Sequence, residues 1–153
     1  MPLRVGDKAP EFELYDQNGT PRKNTALKNK YLVLFFYPKD GTPGCTAEAC
    51  SFRDNYLVFK KLNCEIWGVS GDNENSHREF AEINNLPFPL LIDHNNALRK
   101  LFSVPKTFGI IPGRVTFIID KKGEIYNIFN NLLDGPAHVN EALRIVKAMQ
   151  NNK

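Results

Sequence analysis

The fold is decided by residues 31–54, whose sequence is YLVLFFYPKDGTPGCTAEACSFRD. Residues 32–37 are continuously apolar and lack the alternation of a half-exposed strand, so they predict a strand buried on both faces between helices. Pro38 ends this strand, and the glycines and proline that follow mark a tight loop before a helix predicted over residues 46–62. Cys45 therefore lies in or just before the first turn of a helix.

The predicted position of Cys45 makes it a candidate nucleophile. The first amide groups of a helix have no intrahelical partner, and the positive end of the helix dipole lies there, so this position favours a thiolate over a thiol. Ligands of open α/β sheets bind at the carboxyl ends of strands, and Cys45 follows such an end. The strand, loop and helix together thus predict a reactive cysteine.

The length and composition narrow the classes of protein. The 153 residues fit one domain, 1–153, and the net charge of +3, without a basic run interleaved with aromatic residues, argues against nucleic-acid binding. No apolar run approaches the ~18 residues of a membrane span, and the N-terminus lacks a signal-type apolar segment, so neither a membrane nor secretion is expected. Three cysteines, an odd number, favour a reducing compartment: the cytoplasm, or an organelle interior such as the plastid stroma.

The first half of the chain predicts an α/β architecture. Residues 11–15 and 20–23 flank Asn18-Gly19 and predict a short N-terminal hairpin with a two-residue turn. Residues 65–70 predict a second buried strand, which makes a parallel βαβ unit with the first.

The second half completes this architecture. Ser76 and Glu79 match a capping box and predict a helix over residues 77–85 with Phe80 and Ile83 facing inward. The later elements are a strand at 88–92, a brief helix containing Ala97, Leu98, Leu101 and Phe102, a loop at 105–113, a hairpin of strands 115–119 and 124–129, and a final helix from Gly135 that presents Val139, Leu143, Val146 and Met149. This order predicts a thioredoxin-like α/β sandwich, with a mixed central sheet flanked by helices and additional N-terminal strands.

Cys50 follows Cys45 by five residues and is the candidate partner for it. In an unbroken helix their Cα atoms are about 8.7 Å apart and rotated by about 140°, and a disulfide does not form beyond ~7 Å. We therefore hypothesise a cycle in which Cys45 reacts alone and the first helical turns then unwind so that Cys50 reaches it. Alternatively, Cys50 packs as a small hydrophobe, which is the role expected for Cys64.

Other polar and aromatic residues are assigned structural roles. Metal binding is not expected, because the cysteines lack the paired short spacing of zinc sites and no histidine has ligand spacing to them. His77, His94 and His138 are expected at the surface or in caps, and Arg53 and Asp54 on a helix surface. The phenylalanines expected in the core are Phe35, Phe36, Phe52, Phe59, Phe80 and Phe117, and Phe80 or Phe108 can also border a pocket.

The residues around Cys45 carry a resemblance to a known family. Pro38, Thr42 and Cys45 match the Pro-x-x-x-Thr-x-x-Cys signature of the peroxiredoxins, which are thiol peroxidases with a thioredoxin-like fold. Cys50 matches the resolving cysteine of the peroxiredoxin Q (bacterioferritin comigratory protein) subgroup, and Arg114 falls on the family's active-site arginine. The resemblance covers nearly the whole chain and is carried by residues 6–14, 43–54, 68–93 and 112–131.

The resemblance implies reduction of hydrogen peroxide and organic hydroperoxides without metal, haem or flavin. It implies that Cys45 is peroxidatic and Cys50 resolving, with an intramolecular disulfide that thioredoxin or a similar dithiol protein reduces. Thr42, Arg114 and the Cys45 amide are expected to donate to the peroxide, while Pro38 caps the pocket. Since the pair is intramolecular, a monomer is expected. Glu48 is expected either to orient Arg114 or to lie exposed on the helix.

Two alternatives remain open from the residues. A disulfide reductase or isomerase on the same fold is expected to carry Cys-x-x-Cys, whereas here four residues separate Cys45 from Cys50. A non-enzymatic binding or holdase module has no need of Pro38, Thr42, Cys45 and Arg114 together.

Overall fold

The structure is a computed structural model that describes residues 2–107 and 111–151. The strands are β1 Glu13–Tyr15, β2 Pro21–Lys23, β3 Tyr31–Phe36, β4 Cys64–Ser70, β5 Leu90–Ile92, β6 Lys106–Thr107, β7 Ile111–Pro112, β8 Val115–Ile119 and β9 Ile125–Asn130. The α-helices are α1 Pro43–Asp54, α2 Tyr56–Lys61, α3 Glu74–Ile83, α4 Ala97–Leu101 and α5 Gly135–Asn151, with 3-10 turns at Asn24–Ala26 and His94–Asn96.

The central sheet has the strand order β5-β4-β3-β8-β9. Strand β3 is parallel to β4 and antiparallel to β8, and β4 is parallel to β5. Leu34 of β3 pairs with Trp67 on one side and Phe117 on the other, and all six residues of β3 are buried. The continuously apolar run therefore forms the central strand of a mixed sheet, and the predicted thioredoxin-like architecture is confirmed.

The sheet carries a hydrophobic core on each face. Alternate residues of β3 contribute to the two cores, because neighbouring side chains of a strand point to opposite faces. The core with Phe35 contains residues of α1, α2, α3 and α5, and the core with Phe36 contains residues of α4 and the N-terminal segment. Phe52 of α1 stacks on Phe35 with a centroid distance of 4.5 Å, which fixes α1 on the sheet.

The first helical region differs from the single helix predicted over residues 46–62. Helix α1 begins at Pro43, and Asn55 (φ −107°, ψ 8°) separates it from α2. Pro43 occupies the first helical position, where its missing N–H costs nothing. Cys45 is consequently the third residue of α1, within the first turn as predicted.

The N-terminal hairpin forms, but its turn is longer than the predicted two residues. Tyr15 pairs with Pro21, and the Asp16 carboxylate accepts hydrogen bonds from the amides of Asn18 and Thr20. These side-chain bonds stabilise a wider loop than the Asn-Gly signal alone predicts.

Helix α3 is capped by a different residue from the one predicted. The Asn73 side chain, not Ser76, is the N-cap and accepts a hydrogen bond from the Ser76 amide at 2.9 Å. Phe80 is buried as predicted, but Ile83 is 69% exposed. The buried stripe is His77, Phe80 and Ala81, and Ile83 lies about 110° away from it around the helix.

The predicted loop at 105–113 contains a short pairing of β6 with β7. Phe108, proposed as a pocket residue, lies outside the described residues. The hairpin of β8 and β9 and the final helix α5 form as predicted, with Val139, Val146 and Met149 buried. Within residues 2–107 and 111–151, no helix is both long and apolar enough to cross a membrane.

Candidate active site

Cys45 lies in the first turn of α1 and is only 1% exposed. The first hydrogen bond of the helix runs from the Thr46 amide to the Thr42 carbonyl at 2.8 Å. The Cys45 amide precedes this bond, so it has no helical acceptor and points out of the helix N-terminus. The Cys45 thiol therefore lies beside a backbone N–H group that can donate a hydrogen bond to an oxygen atom bound next to the sulfur.

Arg114 immediately precedes β8 and brings a buried guanidinium group to Cys45. Its Nη2 donates to Cys45 Sγ at 3.5 Å, Nη1 donates to Glu48 Oε1 at 2.6 Å, and Nε donates to the Leu132 carbonyl at 2.9 Å. A Cβ atom at Gly44 would lie 3.0 Å from Nη2, so glycine leaves the space that the guanidinium occupies. The structure therefore brings Cys45 and Arg114, two of the predicted site residues, into contact and holds the guanidinium in a fixed orientation.

Glu48 lies one helical turn after Cys45 and orients Arg114, the first of its two predicted roles. The N-terminus of α5 covers it, since a Cβ atom on Gly135 would lie 2.7 Å from Glu48 Cβ. Burial raises the pKa of Glu48 to about 8, and the charge and hydrogen bond of Arg114 oppose this rise. Glu48 Oε1 accepts the hydrogen bond of Arg114 Nη1 and so keeps the guanidinium beside Cys45.

His138 completes this buried network from α5. Its Nε2 donates to the Asn131 carbonyl at 2.7 Å, and Nδ1 lies 2.8 Å from Thr116 Oγ1 and 3.7 Å from Glu48 Oε2. Burial lowers the pKa of His138 to about 4, so the ring is neutral and Nδ1 accepts from the Thr116 hydroxyl. Glu48 Oε2 itself has no hydrogen-bond partner within the part of the chain that the structure describes.

The histidine predictions were partly wrong. His94 is exposed as expected, but His77 and His138 are fully buried. Both buried rings donate from Nε2 to a backbone carbonyl, of Leu91 and Asn131 respectively. Such long-range acceptors satisfy a buried imidazole and leave no signal in the local sequence.

Arg99 is a second cation at the site and was missed by the sequence analysis. It is 3% exposed, and its guanidinium donates to the carbonyls of Gly113 at 2.6 Å and Tyr37 at 2.8 Å. Burial lowers its pKa, while the charges of Asp93 and Cys45 oppose this effect. Its only sequence signal is its place next to Leu98 in a short amphipathic helix, which does not distinguish it from a surface arginine.

Pro38 and Thr42 begin and end the active-site loop, residues 38–42. Pro38 and Thr42 are both half-buried. The Thr42 hydroxyl donates to the Lys39 carbonyl at 2.9 Å. Its proton is therefore occupied within the loop, and its oxygen is left as an acceptor toward a bound hydroxyl group.

The other two cysteines lie in different surroundings. Cys50 is partly exposed on the unbroken helix α1, and its thiol donates to Asn84 Oδ1 at 3.6 Å. Cys45, Cys50 and Cys64 are all free thiols, as the helical spacing predicts for the first two. Cys64 is buried in β4, and burial raises its pKa well above the ordinary range, as expected for a packed thiol.

A groove of about 380 Å³ lies beside the active-site loop, between the start of α1 and helix α3. Its lining residues are Asp40, Gly41, Thr46, Ser76, Glu79, Phe80, Ile83 and Asn84. The groove lies close to both cysteines, because Thr46 follows Cys45 in the chain and Asn84 accepts a hydrogen bond from Cys50. Phe80 borders it, in agreement with one of the two predicted pocket residues.

The fold and the site together define a thiol-dependent redox protein, with a buried cysteine at a helix N-terminus in contact with the guanidinium group of Arg114. Residues 5–128 match the model of the AhpC/TSA family. The chain is 47% identical over 147 residues to chloroplastic peroxiredoxin Q of Arabidopsis thaliana, covering 95% of this chain and 68% of that protein.

Solved structures agree with this match. A mutant of Xylella fastidiosa PrxQ superposes with a TM-score of 0.91 at 30% identity, covering 98% of this chain and 99% of that one. The bacterioferritin comigratory protein of Xanthomonas campestris, studied for alkyl peroxide reduction, gives a TM-score of 0.83 at 31% identity, covering 90% and 91%. The chain belongs to the AhpC/TSA family and, within it, to the peroxiredoxin Q group of thiol peroxidases.

Substitution Glu48→Gln is expected to change how stability depends on pH. The pKa of Glu48 is raised on folding, so the wild type loses stability relative to the Gln variant as the pH rises from about 4.5 to about 8. The difference is on the order of a few kcal/mol. Urea unfolding of both proteins at pH 5 and pH 8 measures it. A constant difference between the two pH values would show that Arg114 keeps Glu48 ionised.

Proposed function

We propose that Cys45 is the peroxidatic cysteine of this thiol peroxidase and that Cys50 is its resolving cysteine. The observation that carries the proposal is the contact between Cys45 Sγ, at the N-terminus of α1, and Arg114 Nη2 at 3.5 Å. Both the helix N-terminus and the guanidinium stabilise a thiolate, which is the nucleophilic form of cysteine.

In the first step, the Cys45 thiolate attacks one oxygen of a hydroperoxide. The S–O bond forms, the O–O bond breaks, and the leaving oxygen takes the electron pair and a proton from water to become water or an alcohol. Arg114 and the Cys45 amide donate to the oxygen on which charge develops, and such preorganised donors supply most of the rate enhancement in many enzymes. The Thr42 oxygen accepts from the peroxide hydroxyl, and Pro38 shields the loop side.

In the second step, Cys50 resolves the sulfenic acid on Cys45. Helix α1 is continuous from Pro43 to Asp54, which keeps the two Cα atoms about 8.7 Å apart. The first turns of α1 must therefore unwind before the Cys50 sulfur attacks the Cys45 sulfur and the sulfenic oxygen leaves as water.

In the third step, a thioredoxin-like protein reduces the disulfide by thiol–disulfide exchange. Peroxiredoxins use peroxide substrates and thioredoxin-like reductants. The alkyl peroxide reduction of the Xanthomonas campestris relative supports organic hydroperoxides, besides hydrogen peroxide, as substrates here. A disulfide reductase is less well supported, because Cys45 and Cys50 are too far apart on α1 for the direct exchange that Cys-x-x-Cys allows.

The proposal extends to the state and location of the protein. An intramolecular cysteine pair requires no second subunit, which supports a monomer formed by one domain, 1–153. The chloroplastic relatives and the three free thiols support a reducing interior, either a plastid or a cytoplasm.

One equivalent of hydrogen peroxide is expected to remove two hydrogens from the reduced wild type and link Cys45 to Cys50. In Cys50→Ser, the product is expected to be a sulfenic acid on Cys45. Intact mass and peptide mapping measure both, with Cys64→Ser as the matched control that behaves as wild type. A bridge through Cys64 would refute the role of Cys50, and an unreacted Cys45 would refute its role as nucleophile.

Oxidation is also expected to unwind the start of α1. Amide hydrogen exchange of residues 45–52 should lose helical protection in the disulfide form, while α5 keeps its protection in both forms. Fully retained protection of residues 45–52 in the oxidised protein would contradict the unwinding step.

Arg114→Lys is expected to lower the rate constant for Cys45 oxidation about 10²–10³-fold, because one ammonium group does not replace three directed N–H groups. The control Arg144→Lys changes an exposed arginine of α5 that pairs with Glu141 and should leave the rate unchanged. Stopped-flow measurement with hydrogen peroxide gives both rates. Equal rates for the two variants would show that Arg114 does not contribute to the oxidation of Cys45.

A further inference from the structure

A buried network lies beneath the active-site loop. The Asp40 carboxylate is 2.6 Å from His77 Nδ1 and accepts hydrogen bonds from Tyr37 Oη at 2.5 Å and Ser76 Oγ at 2.9 Å. The side chains of Asp40 and His77 are 4% and 0% exposed. None of these groups takes part in the proposed peroxidase steps. Asp40 nevertheless lies at the centre of the loop that joins Pro38 to Thr42.

The distances determine where protons lie in this network. His77 Nε2 is 2.8 Å from the Leu91 carbonyl, and only an N–H can pair with a carbonyl oxygen. A second proton must lie between Nδ1 and Asp40 Oδ2, since two lone pairs would repel at 2.6 Å. Burial and the charge of Asp40 raise the pKa of Tyr37, so its hydroxyl keeps its proton and donates. Asp40 is thus joined by three hydrogen bonds to His77, Tyr37 and Ser76.

The same network attaches the loop to two other elements. The Asp40 amide donates to the Asp72 carboxylate at 2.8 Å, and Ser70 Oγ donates to the same oxygen at 2.6 Å. The loop is therefore fastened to the end of β4 through its backbone and to α3 through its side chain. The side chains of Asp40, Asp72 and His77 lie close enough together to suit a metal ion. In this structure they form hydrogen bonds within the network instead.

A second attachment to α3 lies at the far end of the reactive segment. Arg53 Nη1 donates to the Asn84 carbonyl at 2.7 Å, and Asn84 Oδ1 accepts from the Cys50 thiol. The segment between Asp40 and Arg53 contains both Cys45 and Cys50. Helix α3 thus holds this segment at both ends, and the part that must unwind lies between the two attachments.

We propose that His77 is a positioning residue of the peroxidase site: it fixes Asp40, and through it the loop that carries Pro38 and Thr42, against α3. The loop then keeps its place while the first turns of α1 unwind and refold in each cycle. The inference rests on the proposed role of Cys45 for its effect on rate, but the anchoring of the loop is independent of that role.

The test replaces His77 by two residues with amide side chains, each of which imitates one nitrogen of the imidazole ring. In His77→Asn the short side chain places an N–H near the position of Nδ1 and keeps a donor for Asp40. In His77→Gln the longer side chain places its N–H near Nε2, toward the Leu91 carbonyl, and loses the donor for Asp40. Ser76→Ala removes a single partly exposed donor to Asp40, and Arg78→Ala, on the outer side of α3, is the control.

The measurements are amide exchange of residues 38–47 in the reduced protein and the rate of Cys45 oxidation by hydrogen peroxide in a Cys50→Ser background. In His77→Gln we expect faster exchange and a rate about 10- to 100-fold lower, while His77→Asn stays within about 3-fold of the unsubstituted protein. Ser76→Ala should show a smaller effect in the same direction. The ultraviolet absorbance of the thiolate should stay unchanged, because Arg114 and the helix N-terminus are untouched.

Equal losses in the Gln and Asn variants, or an unchanged rate and exchange in the Gln variant, would overturn the role of His77. A changed thiolate absorbance would do the same, since His77 would then act on the charge of Cys45. If His77→Gln does not fold, the amide exchange of residues 38–47 and the rate of Cys45 oxidation in Ser76→Ala test the proposal instead. If exchange rises as expected but Cys45 is never oxidised in any protein, the proposed role of Cys45 fails and the anchoring by His77 stands.

Discussion

The site depends on one buried cation, the guanidinium of Arg114. It joins three parts of the chain that are distant in sequence: the start of α1 through Cys45 and Glu48, the start of β8 where Arg114 lies, and the loop after β9 through the Leu132 carbonyl. A buried charge is costly unless it is paired and hydrogen-bonded, so each of these contacts also stabilises the packing that buries it. If Cys45 is the nucleophile, as proposed, its reactivity and the stability of the packing around it depend on the same group.

Glu48 pairs with this guanidinium in a buried environment. Covered by Gly135 and next to a neutral His138, the carboxyl of Glu48 is desolvated, and this raises its pKa despite the adjacent guanidinium. The charge of Glu48 in turn raises the pKa of Arg114, and the 2.6 Å hydrogen bond between the two groups holds the guanidinium in place. Arg99 adds a second buried guanidinium group in the same region, and the charges of Asp93 and Cys45 oppose the lowering of its pKa by burial.

The proposed cycle requires helix α1 to be ordered before the reaction and able to unwind after it. Phe52 anchors the C-terminal half of α1 by stacking on Phe35 of the sheet. The first turns hold few large side chains, and their order depends on the loop before them and on the contacts with Arg114 and Gly135. In the proposed cycle, loss of the thiolate charge on oxidation would weaken the attraction to Arg114 and favour the release of these turns while the rest of the helix stays packed.

Much of the fold follows from the local pattern of the sequence. A continuously apolar segment such as Tyr31–Phe36 has no exposed face and must be a central strand, and the proline and glycines after it must end the strand and start a helix. The prediction of α3 failed in detail because Asn73 and Ser76 are both good caps. Only the packing of His77, Phe80 and Ala81 on the core selects the first.

By itself, the sequence determined that a cysteine stands in the first turn of a helix after a buried strand, with a second cysteine five residues later, too far away for a disulfide while the helix is intact. The tertiary structure alone decided which charges surround the sulfur. Arg114 lies 69 positions from Cys45, and Arg99 and His77 come from helices whose local sequence resembles any solvent-facing helix. Their burial comes from the antiparallel pairing of β8 with β3 and from backbone carbonyls far along the chain, and no local pattern of residues encodes such acceptors.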